Sequence, residues 1–213
     1  LLRSLRCVSN GVRPSMGQAK MKNRFLALLC FVALASVGLI VSISPLHTSA
    51  KAGKCEAPRD AFRRFIPAAV AAPAPETVFF RGDGSETTLA DYRGRRLVLN
   101  FWATWCLPCV REMPHLDRLK GVLAEHGIDV ITVSEDSEGA PVIKKFYAIN
   151  KLDQLVVLFD KHMKLFESLK GRGLPMTILI DAVGREVVRV EGAAEWDRPQ
   201  IVNFIRKCLA PDN

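Results

Sequence analysis

Between residues 95 and 209 the spacing of apolar side chains switches repeatedly between strand and helix periods. "RRLVLNFWA" (95–103) becomes a continuous apolar run after its two arginines, with Asn100 as the one polar interruption, and predicts a buried strand. A helix follows from about Cys106 to Glu125, stopping near Gly127. "IDVITVS" (128–134) predicts a second strand, and "APVIKKFYAI" (140–149) a helix with Val142, Ile143, Phe146 and Ile149 on one face. "QLVVLFD" predicts a short strand and "KHMKLFESL" a short helix. "MTILID" (176–181) and "EVVRVEG" predict two strands paired across the turn "AVGR". "RPQIVNFIRKCL" (198–209) closes the pattern as a helix with Ile201, Phe204, Ile205, Cys208 and Leu209 facing inward. The order β-α-β-α, an insertion, then β-β-α predicts a mixed α/β sheet with helices on both faces.

Upstream the pattern is weaker. In "CEAPRDAFRRFIPAAV" Phe62, Phe65, Ile66 and Ala69 fall at helical spacing, predicting a short amphipathic helix limited by Pro58 and Pro67. "AAPAP" (71–75) is an extended connector, and Asp83-Gly84 in "TVFFRGDGSETTL" marks a hairpin. The chain opens on Leu, with methionines at 16 and 21, and no structure is read into its first fifteen residues. Four segments result: 1–24 as a basic cytoplasmic N-terminus, 25–44 as a transmembrane anchor, 45–75 as a linker carrying the short helix, and 76–213 as the folded domain.

Charge supports that division. The formal net charge of +8 lies wholly in residues 1–54, which carry eight basic side chains and no acidic one; residues 55–213 hold 22 of each sign. The folded part therefore has no bulk basicity of the kind nucleic acid binding requires. From Phe25 to Ile43 no charge occurs, a stretch that as a helix would span roughly 28 Å, about one hydrocarbon core. Lys20, Lys22 and Arg24 precede it, which orients the C-terminal bulk outward. A cleaved signal peptide, with Ala50-Lys51-Ala52 as its small-x-small site, is the competing reading.

Export changes the meaning of the cysteines. Of six, Cys7 and Cys30 precede the exported part, leaving Cys55, Cys106, Cys109 and Cys208 in a compartment where disulfides persist. Cys106 and Cys109 stand where a strand breaks into a helix. There the orphan N–H groups and the helix dipole favour a thiolate, and a second cysteine one turn on can close a disulfide. Pro108 fits such a first turn, since its missing N–H has no helical partner there. A redox dithiol, half of a zinc site, and a pair of buried small hydrophobes all remain compatible with this spacing alone.

"NFWATWCLPC" followed by "REMP" resembles the thioredoxin superfamily, and within it the membrane-anchored TlpA/ResA-like thiol-disulfide oxidoreductases. The resemblance covers roughly residues 77–209. It rests on the W-C-x-P-C core, Pro114 eight residues after Cys106, "GLP" before "MTILID", and the insertion between the second helix and that strand. It implies a thioredoxin fold with an N-terminal hairpin extension and a central insertion. It also implies a membrane-tethered periplasmic protein-disulfide reductase whose redox centre is the Cys106–Cys109 pair, with no other cofactor. By position Cys106 is the nucleophile, Cys109 the resolving thiol and Pro175 the cis-proline. Trp105, Leu107, Pro108 and the free backbone of Leu174 would meet the partner, and Trp102 would pack beneath. Where thioredoxin has a buried Asp, this chain has Asn100, which cannot take the proton of the resolving thiol; Asn100 is expected to hydrogen-bond backbone. Glu112, three residues after Cys109, matches the acid of the ResA-like branch. Its alternative is a solvated residue or an ion pair with Arg111 or a neighbour. The resemblance further implies a structural disulfide between the N-terminal extension and the end of the domain, falling on Cys55 and Cys208. Implied partners are exported proteins with disulfides, such as apocytochrome c or the copper-handling proteins of oxidase assembly, and a membrane thiol transporter as electron donor.

Competing chemistries lack company. A zinc site needs two further ligands, yet the remaining cysteines are isolated and His47, His115, His126 and His162 are scattered. A copper chaperone on this fold would use wider cysteine spacing and a histidine near the third core strand, whereas His162 lies in the insertion. His115 reads as an exposed helix residue. A peroxidase would carry a proline-threonine context before Cys106, which is missing. A non-enzymatic metal-binding or interaction module on the same fold is the alternative function.

Overall fold

The structure, a computed structural model, describes residues 55–68 and 73–211. The basic segment 1–24 and the anchor expected at 25–44 lie outside the described residues. Among the described residues no helix is long and apolar enough to cross a membrane.

Among the described residues are eight strands and four α-helices, the strands forming one mixed sheet in the order β1-β8-β7-β4-β5-β6-β2-β3. Their spans are β1 Arg64–Pro67, β2 Phe79–Arg81, β3 Glu86–Thr87, β4 Arg96–Trp102, β5 Ile128–Ser134, β6 Leu158–Phe159, β7 Met176–Ile180 and β8 Glu186–Glu191. Four α-helices join them: α1 Leu107–Ala124, α2 Ala140–Asn150, α3 Lys164–Ser168 and α4 Pro199–Cys208; a short 3-10 turn covers Leu89–Tyr92. β4 is the central strand, parallel to β5 and antiparallel to β7. Its apolar character, interrupted only by Asn100 after Arg96, follows from burial on both sides. Leu97, Leu99 and Phe101 join a core with Phe166 of α3, while Val98 and Trp102 join the core under α1, α2 and α4. Asn100 therefore points toward α1, with Thr132 and Thr177 in register on either side.

Three sequence expectations are corrected. Residues 55–68 contain no helix; Arg64–Pro67 instead pairs antiparallel with β8, Phe65 opposite Val190 and Pro67 opposite Val188. The eight residues between Pro58 and Pro67 cannot repay helix nucleation. As an edge strand, the same residues cover the open side of β8, where a terminal proline is tolerated. Phe62 and Phe65 then pack on Phe204 at 5.4 and 5.7 Å between ring centroids. The strand expected over 154–160 shrinks to Leu158–Phe159. The Asp117 carboxylate draws in the amides of Gln154 and Leu155, and Leu152 and Leu155 are buried beside α1 rather than in the sheet. On α2 Ile143 and Tyr147 are buried and Val142 and Phe146 pack against the same core as expected, while Ile149 is exposed. Tyr147 stacks on Trp102 and its hydroxyl meets the Thr132 hydroxyl at 2.8 Å, so a polar tip reached into the core where the pattern marked only apolar side chains.

Cys55 and Cys208 are bonded, with Cα atoms 4.8 Å apart and a sequence separation of 153. The bond ties the segment leading into β1 to the end of α4. Replacing both by Ser should lower unfolding free energy by about 2–5 kcal/mol, the upper value being the loop-closure estimate. It should also raise amide exchange first in β1. Identical denaturation midpoints for the variant and wild type would show that packing alone holds β1.

Candidate active site

Cys106 is the N-cap residue of α1, held in extended backbone geometry, and Leu107 and Pro108 begin the helix. Pro108 in the first turn loses no intrahelical bond. Cys106 and Cys109 form a disulfide with Cα atoms 5.2 Å apart. Cys106 lies at the surface's edge at 7% exposure, and Cys109 is fully buried. Beside them Trp105 and Leu107 are two-thirds exposed, an uncommon placement for large apolar side chains and a contact surface around the outer sulfur. The Leu174–Pro175 peptide is cis. Because Met176 pairs with Phe101, Pro175 stands level with Trp102, at the same sheet end from which Cys106 follows. Neither backbone group of Leu174 has a backbone partner among the described residues.

Glu112 is buried one helical turn beyond Cys109, with no ion pair to Arg111 or any other cation among the described residues. Its carboxylate receives the Asn100 side-chain amide at 2.8 Å, the Ala194 backbone N–H at 3.1 Å and the Trp196 indole N–H at 2.9 Å. Burial raises its pKa from 4.5 to about 7; the three donors, from Trp196, Asn100 and Ala194, act in the opposite sense and moderate the rise. Asn100 does not bind backbone as expected: its amide bridges Glu112 and the Thr177 hydroxyl, at 2.8 and 2.9 Å. The polar residue in β4 thus holds the acid in place.

The loop before Cys106 has an anchor that sequence reasoning missed. Asp136 accepts the Thr104 N–H at 2.9 Å and the Thr104 hydroxyl at 2.6 Å, and also the Ser134 hydroxyl at 2.7 Å. The neighbouring Glu135 is buried, and among the described residues neither of its carboxylate oxygens has a hydrogen-bond partner. Desolvation first, then the charges of Asp160, Asp136 and Glu167, push its pKa up to about 9, so it is a neutral acid at neutral pH. The available signal was position: "VSED" ends a parallel strand beside the one carrying the dithiol, and sites in α/β sheets gather at such ends. His115 is partly buried rather than exposed and meets Asp197 at 2.6 Å, as does Arg118. Among the described residues no three His, Cys, Asp or Glu side chains converge in a metal-binding group.

A surface-edge sulfur on a helix N-terminus, a buried partner sulfur, a cis-proline loop and a buried acid together define a dithiol-disulfide exchange centre on a thioredoxin fold. Residues 70–189 match the AhpC/TSA family. The chain is 32% identical over 134 residues to the thiol-disulfide oxidoreductase ResA of Bacillus cereus, covering 63% of this chain and 75% of that one. To ResA of Halalkalibacterium halodurans it is 36% identical over 130 residues, covering 61% and 71%. Among solved structures, a putative thiol:disulfide interchange protein DsbE from Chlorobium tepidum aligns with TM-score 0.58 at 25% identity, over 66% of this chain and 97% of that one. An exposed lipoprotein thioredoxin from Streptococcus pneumoniae aligns with TM-score 0.53 at 27% identity, over 62% and 98%. The chain belongs to the AhpC/TSA family and is a thiol-disulfide oxidoreductase of the ResA/DsbE type.

The raised acid has a measurable consequence for stability. Folded Glu112 holds its proton up to about pH 7, whereas unfolded it loses it near 4.5. Its contribution is therefore fully present below pH 4.5 and is lost as pH rises to about 7, a change on the order of 3 kcal/mol. The stability of wild type relative to Glu112→Gln should fall by that order across this window in denaturant titrations of the oxidised proteins. A difference that stays constant with pH would mean that folding leaves the pKa of Glu112 unshifted.

Proposed function

We propose that this protein is a membrane-tethered oxidoreductase of the periplasm that reduces disulfides in selected exported proteins, with Cys106 as nucleophile. The observation that carries the reading is the pairing of an outer cysteine at a helix N-terminus with an inner cysteine one turn from a buried acid poised near neutrality. In the reduced enzyme the Cys106 thiolate attacks one sulfur of the partner's disulfide. A mixed disulfide forms and the partner's other sulfur leaves as a thiolate. Glu112, as carboxylate, takes the proton of the Cys109 thiol, and the Cys109 thiolate attacks the Cys106 sulfur. The Cys106–Cys109 bond forms, the mixed disulfide breaks, and the second partner thiolate departs. Two electrons have moved to the partner, whose two thiolates take their protons from solvent, and the Cys109 proton is left on Glu112. A dithiol donor in the membrane returns the enzyme to its reduced form by the reverse exchange.

The partner segment would lie extended across Trp105, Leu107, Pro108 and the cis-Pro175 loop, pairing with the free backbone of Leu174. The Cys55–Cys208 bond supports an oxidising compartment, since a second disulfide remote from the redox centre persists only there. The charge-free run at 25–43 after three basic residues supports a tether with this domain on the outer side. Proteins maturing cytochrome c or a copper centre of cytochrome oxidase are the substrates this reading favours.

Trapping tests the reading directly. Cys109→Ser should accumulate mixed disulfides with exported proteins, and Cys106→Ser should abolish turnover. Glu112→Gln should slow release of the mixed disulfide about 10- to 100-fold near pH 7. A Cys109→Ser protein that traps no exported partner, while wild type binds copper or zinc tightly, would replace the reductase with a metal-binding module.

A further inference from the structure

Beside the cis-proline loop lies a groove of about 350 Å³ whose lining includes Arg63, Arg64, Arg172, Leu174, Pro175 and Glu191. Three arginines face one carboxylate, and that carboxylate is taken: Arg64 pairs with Glu191 at 3.0 Å. Arg63 and Arg172 are exposed and, among the described residues, pair with no acid. Residues 55–213 as a whole are charge-balanced, so two uncompensated guanidinium groups in one groove are a local feature.

The position of Arg63 is built into the fold. It immediately precedes β1, whose register on β8 places Arg64 opposite Glu191. The Arg63 stem lies over Gly192, where an added Cβ would sit 3.2 Å from Arg63 Cδ and 3.3 Å from its Cβ. Gly192 has φ +100°, a backbone state that side chains disfavour, and it donates its N–H to the Pro175 carbonyl at 2.9 Å. The stem is thereby held against the residue that braces the cis-proline loop. The strand that replaces the expected helix thus delivers a cation to the rim of the site. Arg172 stands two residues before Leu174, on the opposite approach to the same backbone.

We infer that this groove selects partners carrying acidic side chains within about two to four residues of the cysteine to be reduced, Arg63 and Arg172 acting as specificity-determining residues. The inference rests on the exchange chemistry proposed above. An extended segment paired with Leu174 advances roughly 3.3 Å per residue, so side chains two to four positions from the reacting sulfur come within reach of either guanidinium. Arginine suits the task, since its planar fork binds carboxylates with two parallel hydrogen bonds. Charges on the rim of an interface act chiefly on association rate and are screened by salt.

Three peptides, each of one length with one internal disulfide, test this, with Asp, Ser or Lys at the two positions flanking one cysteine. Reduced full chain in uncharged detergent micelles is the enzyme, and kcat/KM is measured at low and high ionic strength. Wild type should rank Asp above Ser above Lys, with about a tenfold Asp-to-Lys ratio at low salt that shrinks at high salt. Arg63→Ser/Arg172→Ser should bring the ratio near one, and Arg63→Lys/Arg172→Lys should restore the ranking, because charge is retained. No ranking in wild type, or the same ranking in the Ser double variant, overturns the inference. Failure of wild type to reduce even the Ser peptide overturns the exchange chemistry itself, and the inference with it.

Discussion

Glu112 sits where water does not reach, and donors from two separate parts of the chain converge on it: Asn100 from the central strand, and the Ala194 amide with the Trp196 indole from the segment between β8 and α4. The acid is on α1, three residues past the inner cysteine, so these bonds set the depth and rotation of the helix that bears the dithiol. Losing any donor leaves a buried polar group short of a partner, at a cost of about 1–3 kcal/mol. Both carboxyl oxygens serve as acceptors, Oε1 to the Asn100 amide and Oε2 to the Ala194 and Trp196 N–H groups, and a glutamine could not match this because its NH2 would face one of these donors. Burial of a titrating acid is costly, and the cost is intelligible if its proton is used.

The outer sulfur is held by different means. Asp136 fastens Thr104 two residues before Cys106, so the loop between β4 and α1 is tied to the end of β5. Asp160 performs a parallel task one strand further on, accepting the amides that open α3. Between these two carboxylates Glu135 stays protonated, because burial first, and the neighbouring acids second, raise its pKa to about 9. On the other side of the dithiol stand β1 and the cis-proline loop. The centre and its rim are thus built from different stretches of chain.

Much of this was legible in the chain itself, and the exceptions have physical causes. The strand–helix junction at Cys106, the hairpin at Asp83-Gly84 and the inward face of α4 follow from local period and turn chemistry. The stretch 62–69 does not, since phenylalanines spaced three apart suit either a helix face or two sides of a bent edge strand. Only the vacant edge of β8 decides between them. Asn100 stood out as the lone polar residue of its strand, but its partners are 12 and 77 residues away and no local rule names them. Trp196 and Asp136 carried no motif at all; their roles exist only once strand ends are brought together.

The most direct measurement is a carbon-13 NMR titration of the Glu112 side-chain carboxyl in the oxidised protein. A midpoint near pH 7 is expected, moving higher in Trp196→Phe because a donor that stabilises the carboxylate has been removed. A midpoint near 4.5, unchanged by Trp196→Phe, would contradict the account: the acid would then be an ordinary carboxylate, unable to exchange a proton with Cys109 near neutrality.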